Sequence, residues 1–259
     1  DNKPNKTAFV IGTGPSLNNI DITKLKDYPT ISFNRSYIAY DDWGFDPTYY
    51  MAIDSNDVRA MYKDIYSLIE KSSIQKFFLT FCEDNANHPS PEHYQDGDIK
   101  DIFFTDIKSN KIYSVGGTRG ISNCYIDEKN KIFNTLVQPN AGFMGVLALK
   151  ALGYTEVAFV GCDSKYRIDE ESNRSITQIG DGEYVSHEDW DVNHFSHKYF
   201  GKGMRFGIPN PKQILGIWSG GASIIQNMHD FSVYSCTKDS ALNQWYPYID
   251  FEDFLNGKR

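Results

Sequence analysis

Two stretches of this chain carry residues whose types and spacing could do chemistry. The first, 6–17, reads KTAFVIGTGPSL, an apolar run that ends in Gly12-Thr13-Gly14-Pro15-Ser16. Gly12 and Gly14 let a backbone turn sharply and come close to a ligand, Pro15 is pre-set for a first helical turn, and Ser16 is a good cap. Free N–H groups at a helix start suit an anion, so this turn is expected to hold a phosphate. Two familiar phosphate motifs are excluded: Leu17 stands where Gly-x-Gly-x-x-Gly needs its third glycine, and no Gly-Lys-Ser/Thr occurs. A tight strand-to-helix turn with no ligand would use the same five residues. The second stretch, 167–209, loses hydrophobic periodicity and collects His187, Asp191, Asn193, His194, His197, Lys198 and Tyr199. His194 and His197 are spaced i, i+3, but no His-Glu-x-x-His pattern or helping cysteine supports a metal, and none is expected. General-base chemistry is the better use of an imidazole near neutral pH. His194 is favoured over His197, because Asn193 could orient its ring and Phe195 could pin it, whereas Lys198 opposes an imidazolium at 197.

These residues need a scaffold, and the hydrophobic pattern supplies one. Segment 7–11 has the β-branched and aromatic content of a buried parallel strand, and 29–33, 49–53 and 75–81 repeat it. Ligands bind at the carboxyl ends of such strands, which puts Asn34 and Asp54 on the ligand edge. Asn34 suits a base or ribose contact, and equally an ordinary turn. A helix from Asn56 or Asp57 to about Lys71 buries Val58, Met61, Ile65 and Leu68. Segment 82–98 is a polar loop in which His88 and His93 lack metal-ligand spacing, and 101–125 reads as extended pieces around the glycine-rich 116–120. Asn140-Ala141-Gly142 opens a strongly apolar helix to Leu152, followed by a strand at 156–161 and then Cys162-Asp163-Ser164-Lys165-Tyr166. Asn140 and Gly142 therefore sit where helix N–H groups are free, a second anion or sugar edge. Asp163 either caps a turn or holds a ribose or substrate hydroxyl. A helix at 211–229, loosened at Gly220-Gly221, a last strand at 233–237 and an aromatic tail with Tyr246, Tyr248, Phe251 and Leu255 complete the chain. The expected fold is a single α/β domain over 1–259, Rossmann-like, with a mostly parallel sheet, helices on both faces and a lid-like insertion at 167–209. With few apolar anchors, that insertion is expected to be partly mobile and to order over the site when a donor binds.

Composition narrows the partners. A net charge of −8 argues against sequence-independent nucleic-acid binding, which needs Lys and Arg to displace counterions. The four cysteines, Cys82, Cys124, Cys162 and Cys236, form no C-x-x-C pair and read as reduced thiols of a cytoplasmic protein. No membrane span or signal peptide is visible, and peripheral association with the inner face of a membrane is left open. No initiator methionine opens the chain, so an upstream segment is expected.

The segments GTGPSLNNID, the strand end at Asn34, NAGFMGVLALKALGYTEVAFVGCD and the later His194 segment occur in a single order. In this they resemble the bacterial lipooligosaccharide sialyltransferases and the motility-associated flagellin glycosyltransferases, a superfamily with a branch of MptE-like, 6-hydroxymethylpterin diphosphokinase-like proteins. The resemblance covers three stretches. It implies that Gly12, Thr13, Gly14, Pro15 and Ser16 approach nucleotide phosphates and that Asn34 contacts the cytidine nucleotide or donor. It puts Asn140, Ala141 and Gly142 near the donor sugar. Tyr166 is the nearest candidate for the tyrosines that stabilise the departing phosphate, and His194 or His197 for the base. The chain departs from the pattern at Thr13 and Asp54, where the family carries asparagines, and at Asn140-Ala141, where it carries Thr-Ser. These departures bear on the donor sugar more than on nucleotide binding.

The function so implied is an inverting glycosyltransferase. It would move an acidic sugar (sialic acid, a related nonulosonate or Kdo) from a CMP-sugar donor to a glycan or glycolipid acceptor, with no obligatory metal or cofactor. Two alternatives stand beside it. One is a pterin-type diphosphokinase using ATP and Mg²⁺, for which Asp54 and Asp163 would be the acidic pair. The other is a nucleotide- or carbohydrate-binding module without turnover.

Overall fold

The protein is described by a computed structural model over residues 6–81, 109–117, 120–167, 174–180 and 182–259. Cys82, His88, His93 and the polar loop around them lie outside the described residues, as do 101–108, Thr118 and Arg119.

Strands β1 (Thr7–Ile11), β2 (Thr30–Phe33), β3 (Tyr49–Ala52), β4 (Lys76–Leu79) and β5 (Ile112–Gly116) pair in parallel, one after another. Strands β6 (Tyr125–Asp127), antiparallel, and β7 (Ile132–Asn134) close that edge. Strands β8 (Glu156–Val160) and β12 (Ser232–Ser235) add to the other side of β1, giving nine strands in the order β12-β8-β1-β2-β3-β4-β5-β7-β6. The central strands are buried at every position, without alternation, because both faces are covered. On one face lie α1 (Tyr40–Trp43), α2 (Ser55–Ala60), α3 (Tyr62–Lys71) and α6 (Phe251–Leu255). On the other lie α4 (Ala141–Ala151) and α5 (Pro211–Ile225). This is the mostly parallel, Rossmann-like α/β architecture that the pattern implied.

The order of strands decides where a ligand fits. From β1 the chain winds outward through β2 to β5, then returns to place β8 on the opposite side of β1. The carboxyl ends of β1 and β8 therefore flank a topological switch point, where connections leave in opposite directions and a crevice opens.

Several expectations need correction. The residues after Gly14 form two short 3-10 turns, Pro15–Asn19 and Ile22–Leu25, and no α-helix starts there. The helix expected from 56 to 71 is divided at Met61 into α2 and α3. Segment 167–209 has local structure: β9 (Ile176–Gly180), β10 (Glu183–Ser186) and β11 (Arg205–Gly207) form a three-stranded antiparallel sheet. It has apolar anchors as well, since Val192, Tyr199 and Phe206 are buried, and the guanidinium of Arg174 lies 4.2 Å from the Phe206 ring. Tyr246 and Phe251 are buried as expected of the tail, while Tyr248 is exposed.

The Gly220-Gly221 pair does not loosen α5, which runs unbroken to Ile225. Helix α4, buried nearly all round, is squeezed between the sheet and α5, and glycines make the room. A Cβ on Gly145 would stand 2.4 Å from the Phe33 ring, and one on Gly221 would stand 2.1 Å from the Phe143 ring. Phe143 is fully buried and packs edge-on against Trp218 at 5.5 Å, so it has nowhere to retreat. Gly221→Ala is thus expected to lose about 1–3 kcal/mol to overpacking, outweighing the roughly 1 kcal/mol of helix propensity it gains. Gly216→Ala in the same helix, with open space around its Cβ, should keep the propensity gain. Urea unfolding of the two variants gives opposite signs.

Candidate functional site

A cleft of about 230 Å³ opens at the switch point. Its floor is the turn after β1, and its walls come from the ends of β2 and β8, the start of α4 and the 193–200 segment. Of the residues singled out from the sequence, Gly12, Thr13, Gly14, Asn34 and the Asn140-Ala141-Gly142 run line it, and so do Asp163, Tyr166 and His194. Pro15, Ser16, Asp54 and His197 do not line it.

The glycine turn works differently from a phosphate-binding helix start. The Gly12 N–H donates to the Val160 carbonyl and the Gly14 N–H to the Gly161 carbonyl, each at 2.8 Å. Ser16 donates from its N–H (3.3 Å) and its Oγ (2.7 Å) to the Asp163 carboxylate. These donors are used inside the protein, and an anionic side chain occupies the place expected for a phosphate. The glycines are required by contact with β8: a Cβ on Gly12 would sit 2.4 Å from the Gly161 oxygen, and one on Gly14 would sit 1.9 Å from Asp163 Oδ2. Burial raises the Asp163 carboxyl above its usual range, against the bonds from Ser16.

The start of α4, also on the cleft, retains free donors. Asn140 caps α4 by accepting from the Phe143 N–H at 2.8 Å, and its carbonyl takes the Met144 N–H at 3.0 Å. The N–H groups of Ala141 and Gly142 precede that first intrahelical bond and lie on the cleft. After β8 the backbone enters the left-handed region at Gly161 (φ 65°) and again at Ser164 (φ 49°), bringing Lys165 and Tyr166 to the wall. Burial, with smaller contributions from Cys162 and Asp163, pushes the Tyr166 phenol up to about 12, so it remains a hydrogen-bond donor at neutral pH. Asn34 also has a left-handed backbone, φ 47°, which asparagine tolerates, and its carbonyl accepts from Tyr50 at 2.8 Å. Its side-chain Oδ1 is buried without a protein partner, as suits an acceptor for a donor supplied from the cleft.

His194 is held more firmly than the sequence suggested, and by other residues. Its Nδ1 lies 3.0 and 2.8 Å from the two carboxylate oxygens of Asp191. The Tyr199 ring stacks on it with centroids 4.0 Å apart and planes 5° from parallel, and Phe200 meets it edge-on at 5.1 Å. Asn193, expected to orient the ring, instead accepts the Arg167 N–H. Phe195, expected to pin it, packs on Tyr199 and Trp43. The segment is tied to the floor: the Phe195 N–H donates to the Thr13 carbonyl at 2.9 Å, and Asn18 Nδ2 donates to the Phe195 carbonyl at 2.8 Å. His197 is exposed and stacks on Trp190 at 6.0 Å.

Asp54 is exposed at the end of β3. Burial first, then the charge of Asp54, raises the neighbouring Asp57 carboxyl to about 7, with Arg35 opposing. No group of three metal-ligating side chains occurs among the described residues. Cys124, Cys162 and Cys236 are free and buried, and burial raises each thiol, so none of the three behaves as a reactive thiolate.

Sequence reasoning put Lys165 on the ligand edge with its neighbours, passed over Trp218 as a cleft residue and gave Asp191 no part in holding His194. An aspartate three residues before a histidine was the available signal for the last.

No protein-family model matches the chain, and no curated protein matches it by sequence. Among solved structures it is similar to the MAf glycosyltransferase from Magnetospirillum magneticum AMB-1. There the TM-score is 0.51 at 14% identity, with 96% of this chain and 34% of that chain covered. The chain thus spans about a third of that protein's length. It is also similar to the sialyltransferase CstII from Campylobacter jejuni in complex with cytidine-5'-monophosphate (TM-score 0.47, 13% identity, 94% of this chain and 84% of that chain). A CST-II complex with trisaccharide acceptor and CMP gives a TM-score of 0.46 at 15% identity, over 93% and 85% of the two chains. These neighbours come from the two groups that the motifs resemble, and at such identity the likeness is one of fold. Fold and cleft together define a Rossmann-like α/β protein with a switch-point crevice walled by a histidine segment.

The turn makes its own prediction. Gly14→Ala is expected to displace the Asp163 carboxylate, break its bonds from Ser16 and cost about 1–3 kcal/mol. Stability and ligand binding should therefore fall together, where a purely ligand-facing glycine would lose only binding. Thermal unfolding with and without ligand separates the two.

Proposed function

We propose that the chain is a glycosyltransferase that uses a nucleotide-activated sugar, with CMP as the leaving nucleotide, and works by inversion. The observation that carries this reading is His194, fixed by Asp191 and Tyr199 on the wall of the cleft whose floor is the glycine turn. An imidazole so held, in a cleft also lined by the helix start at Ala141 and Gly142, a lysine and a phenol, suits deprotonation of a hydroxyl together with departure of a phosphate.

In that reaction the acceptor hydroxyl oxygen attacks the anomeric carbon while the bond from that carbon to the phosphate oxygen breaks. His194 Nε2 takes the hydroxyl proton, and the electron pair of the broken bond leaves on CMP. The Tyr166 phenol, the Lys165 ammonium and the N–H groups of Ala141 and Gly142 stabilise the phosphate as its charge grows. With that stabilisation drawn from the protein, no divalent ion is needed in the step. Asn34 Oδ1 accepts from the donor nucleotide or sugar, and Asp163 from a hydroxyl. The acceptor is a glycan or glycolipid and the donor sugar an acidic one, as the motif resemblance implies. The chain is proposed to act in the cytoplasm. The diphosphokinase alternative drew on Asp54 and Asp163 as an acidic pair, and Asp54 lies off the cleft.

CMP is expected to raise the melting temperature in the presence of EDTA. A shift with ATP and Mg²⁺ but none with cytidine nucleotides would replace the glycosyltransferase reading with the kinase one. His194→Ala should lower transfer by ~10²–10⁴-fold and leave CMP affinity nearly unchanged by calorimetry. His197→Ala, off the cleft, should do far less; equal losses in both variants would remove His194 from its role.

A further inference from the structure

His194 can accept a proton at Nε2 only if that nitrogen is bare in the neutral ring, and one side chain decides this. We infer that Asp191 is a positioning residue that holds His194 in the tautomer protonated at Nδ1, leaving Nε2 unprotonated toward the cleft. The inference rests on the proposed function only for its effect on turnover; the tautomer itself is a property of the folded chain.

The geometry leaves little choice. Asp191 has 1% of its side chain exposed and His194 18%, so water does not compete for the contact from the Asp191 side. The carboxylate oxygens also accept the Asn193 N–H at 3.0 Å and the Phe200 N–H at 3.1 Å. Backbone N–H groups only donate, so they fix the carboxylate as an acceptor and set its plane. A carboxylate that is acceptor-only obliges Nδ1 to donate, and a neutral imidazole carries one proton. Burial works against the Asp191 charge, but the bonds from His194 and Asn193 and the nearby Arg174 hold its carboxyl below the usual range, so it stays ionised at neutral pH. Ring rotation, which would swing Nδ1 away from the carboxylate and release the constraint, is opposed by Tyr199 stacked on one face and Phe200 at the edge.

The test uses ¹⁵N NMR of histidine-labelled protein at a pH where the ring is neutral. The expected spectrum shows a protonated Nδ1 and a bare Nε2 for His194. Asp191→Asn keeps the size and one acceptor oxygen, enough for one of the two backbone donors, but can turn an NH₂ toward Nδ1. It should move the proton to Nε2, and transfer should fall by ~10²–10⁴-fold in kcat with KM for the donor little changed. A purely structural Asp191 would lower stability and donor binding without exchanging the tautomer. A wild-type ring protonated at Nε2, or an Asp191→Asn chain with unchanged tautomer and kcat, would overturn the inference. If Asp191→Asn does not fold, the wild-type spectrum alone decides. A tautomer as expected in a chain that transfers no sugar from any CMP-sugar would uphold the inference and refute the proposed function.

Discussion

The cleft depends on one close approach, that of the turn after β1 to the end of β8. These strands are parallel neighbours, and their loops leave in opposite directions, so the turn at 12–14 runs against the backbone at Gly161 with no room for a Cβ at either Gly12 or Gly14. The bonds from Gly12 and Gly14 to the β8 carbonyls and from Ser16 to Asp163 convert that proximity into a fixed floor. The 193–200 segment then hangs on the floor through the Thr13 carbonyl. The position of His194 in the cleft follows from this contact, because Phe195, the next residue, is the one bonded to Thr13.

The arrangement divides the labour between two walls. Donors on the floor are spent on structure, and an ionisable carboxyl is placed there, which is why the proposed reaction puts the phosphate at the start of α4 and beside Lys165 and Tyr166. Helix α4 has eleven residues and a side-chain cap at Asn140, which leaves its first N–H groups pointed at the crevice. Its own position depends on Gly145 and Gly221, which let it lie against Phe33 below and α5 above. Packing in the core and the chemistry of the cleft are therefore linked through one buried helix.

Much of this was legible in the residues. Apolar runs at 8–11 and 157–160 announced buried strands, and Asn140 before an apolar run announced the start of a helix. Asn34 and Asp163 fell on the ligand edge because parallel strands put their carboxyl ends there. What could not be read were contacts between residues distant in sequence. Gly14 looks like a ligand glycine until Asp163 is placed 149 positions later in the chain's number order, beside it in space. The three short strands of 167–209 are partly polar, with little alternation to reveal them. Tyr199 and Val192 are buried although no local periodicity marks them. His194 was chosen over His197 on local neighbours, and the groups that hold it are Asp191 and Tyr199, three residues before it and five after.

The central claim is that a nucleotide phosphate lies on the wall formed by α4, Lys165 and Tyr166, across the cleft from His194. A crystal structure of the chain with CMP tests it most directly. The expected result is a phosphate within hydrogen-bond distance of the Tyr166 hydroxyl or the Ala141 and Gly142 N–H groups, with His194 Nε2 facing the open side where a sugar would continue. A nucleotide bound elsewhere on the molecule, or a phosphate seated on the Gly12–Ser16 turn with Asp163 displaced from Ser16, would contradict it.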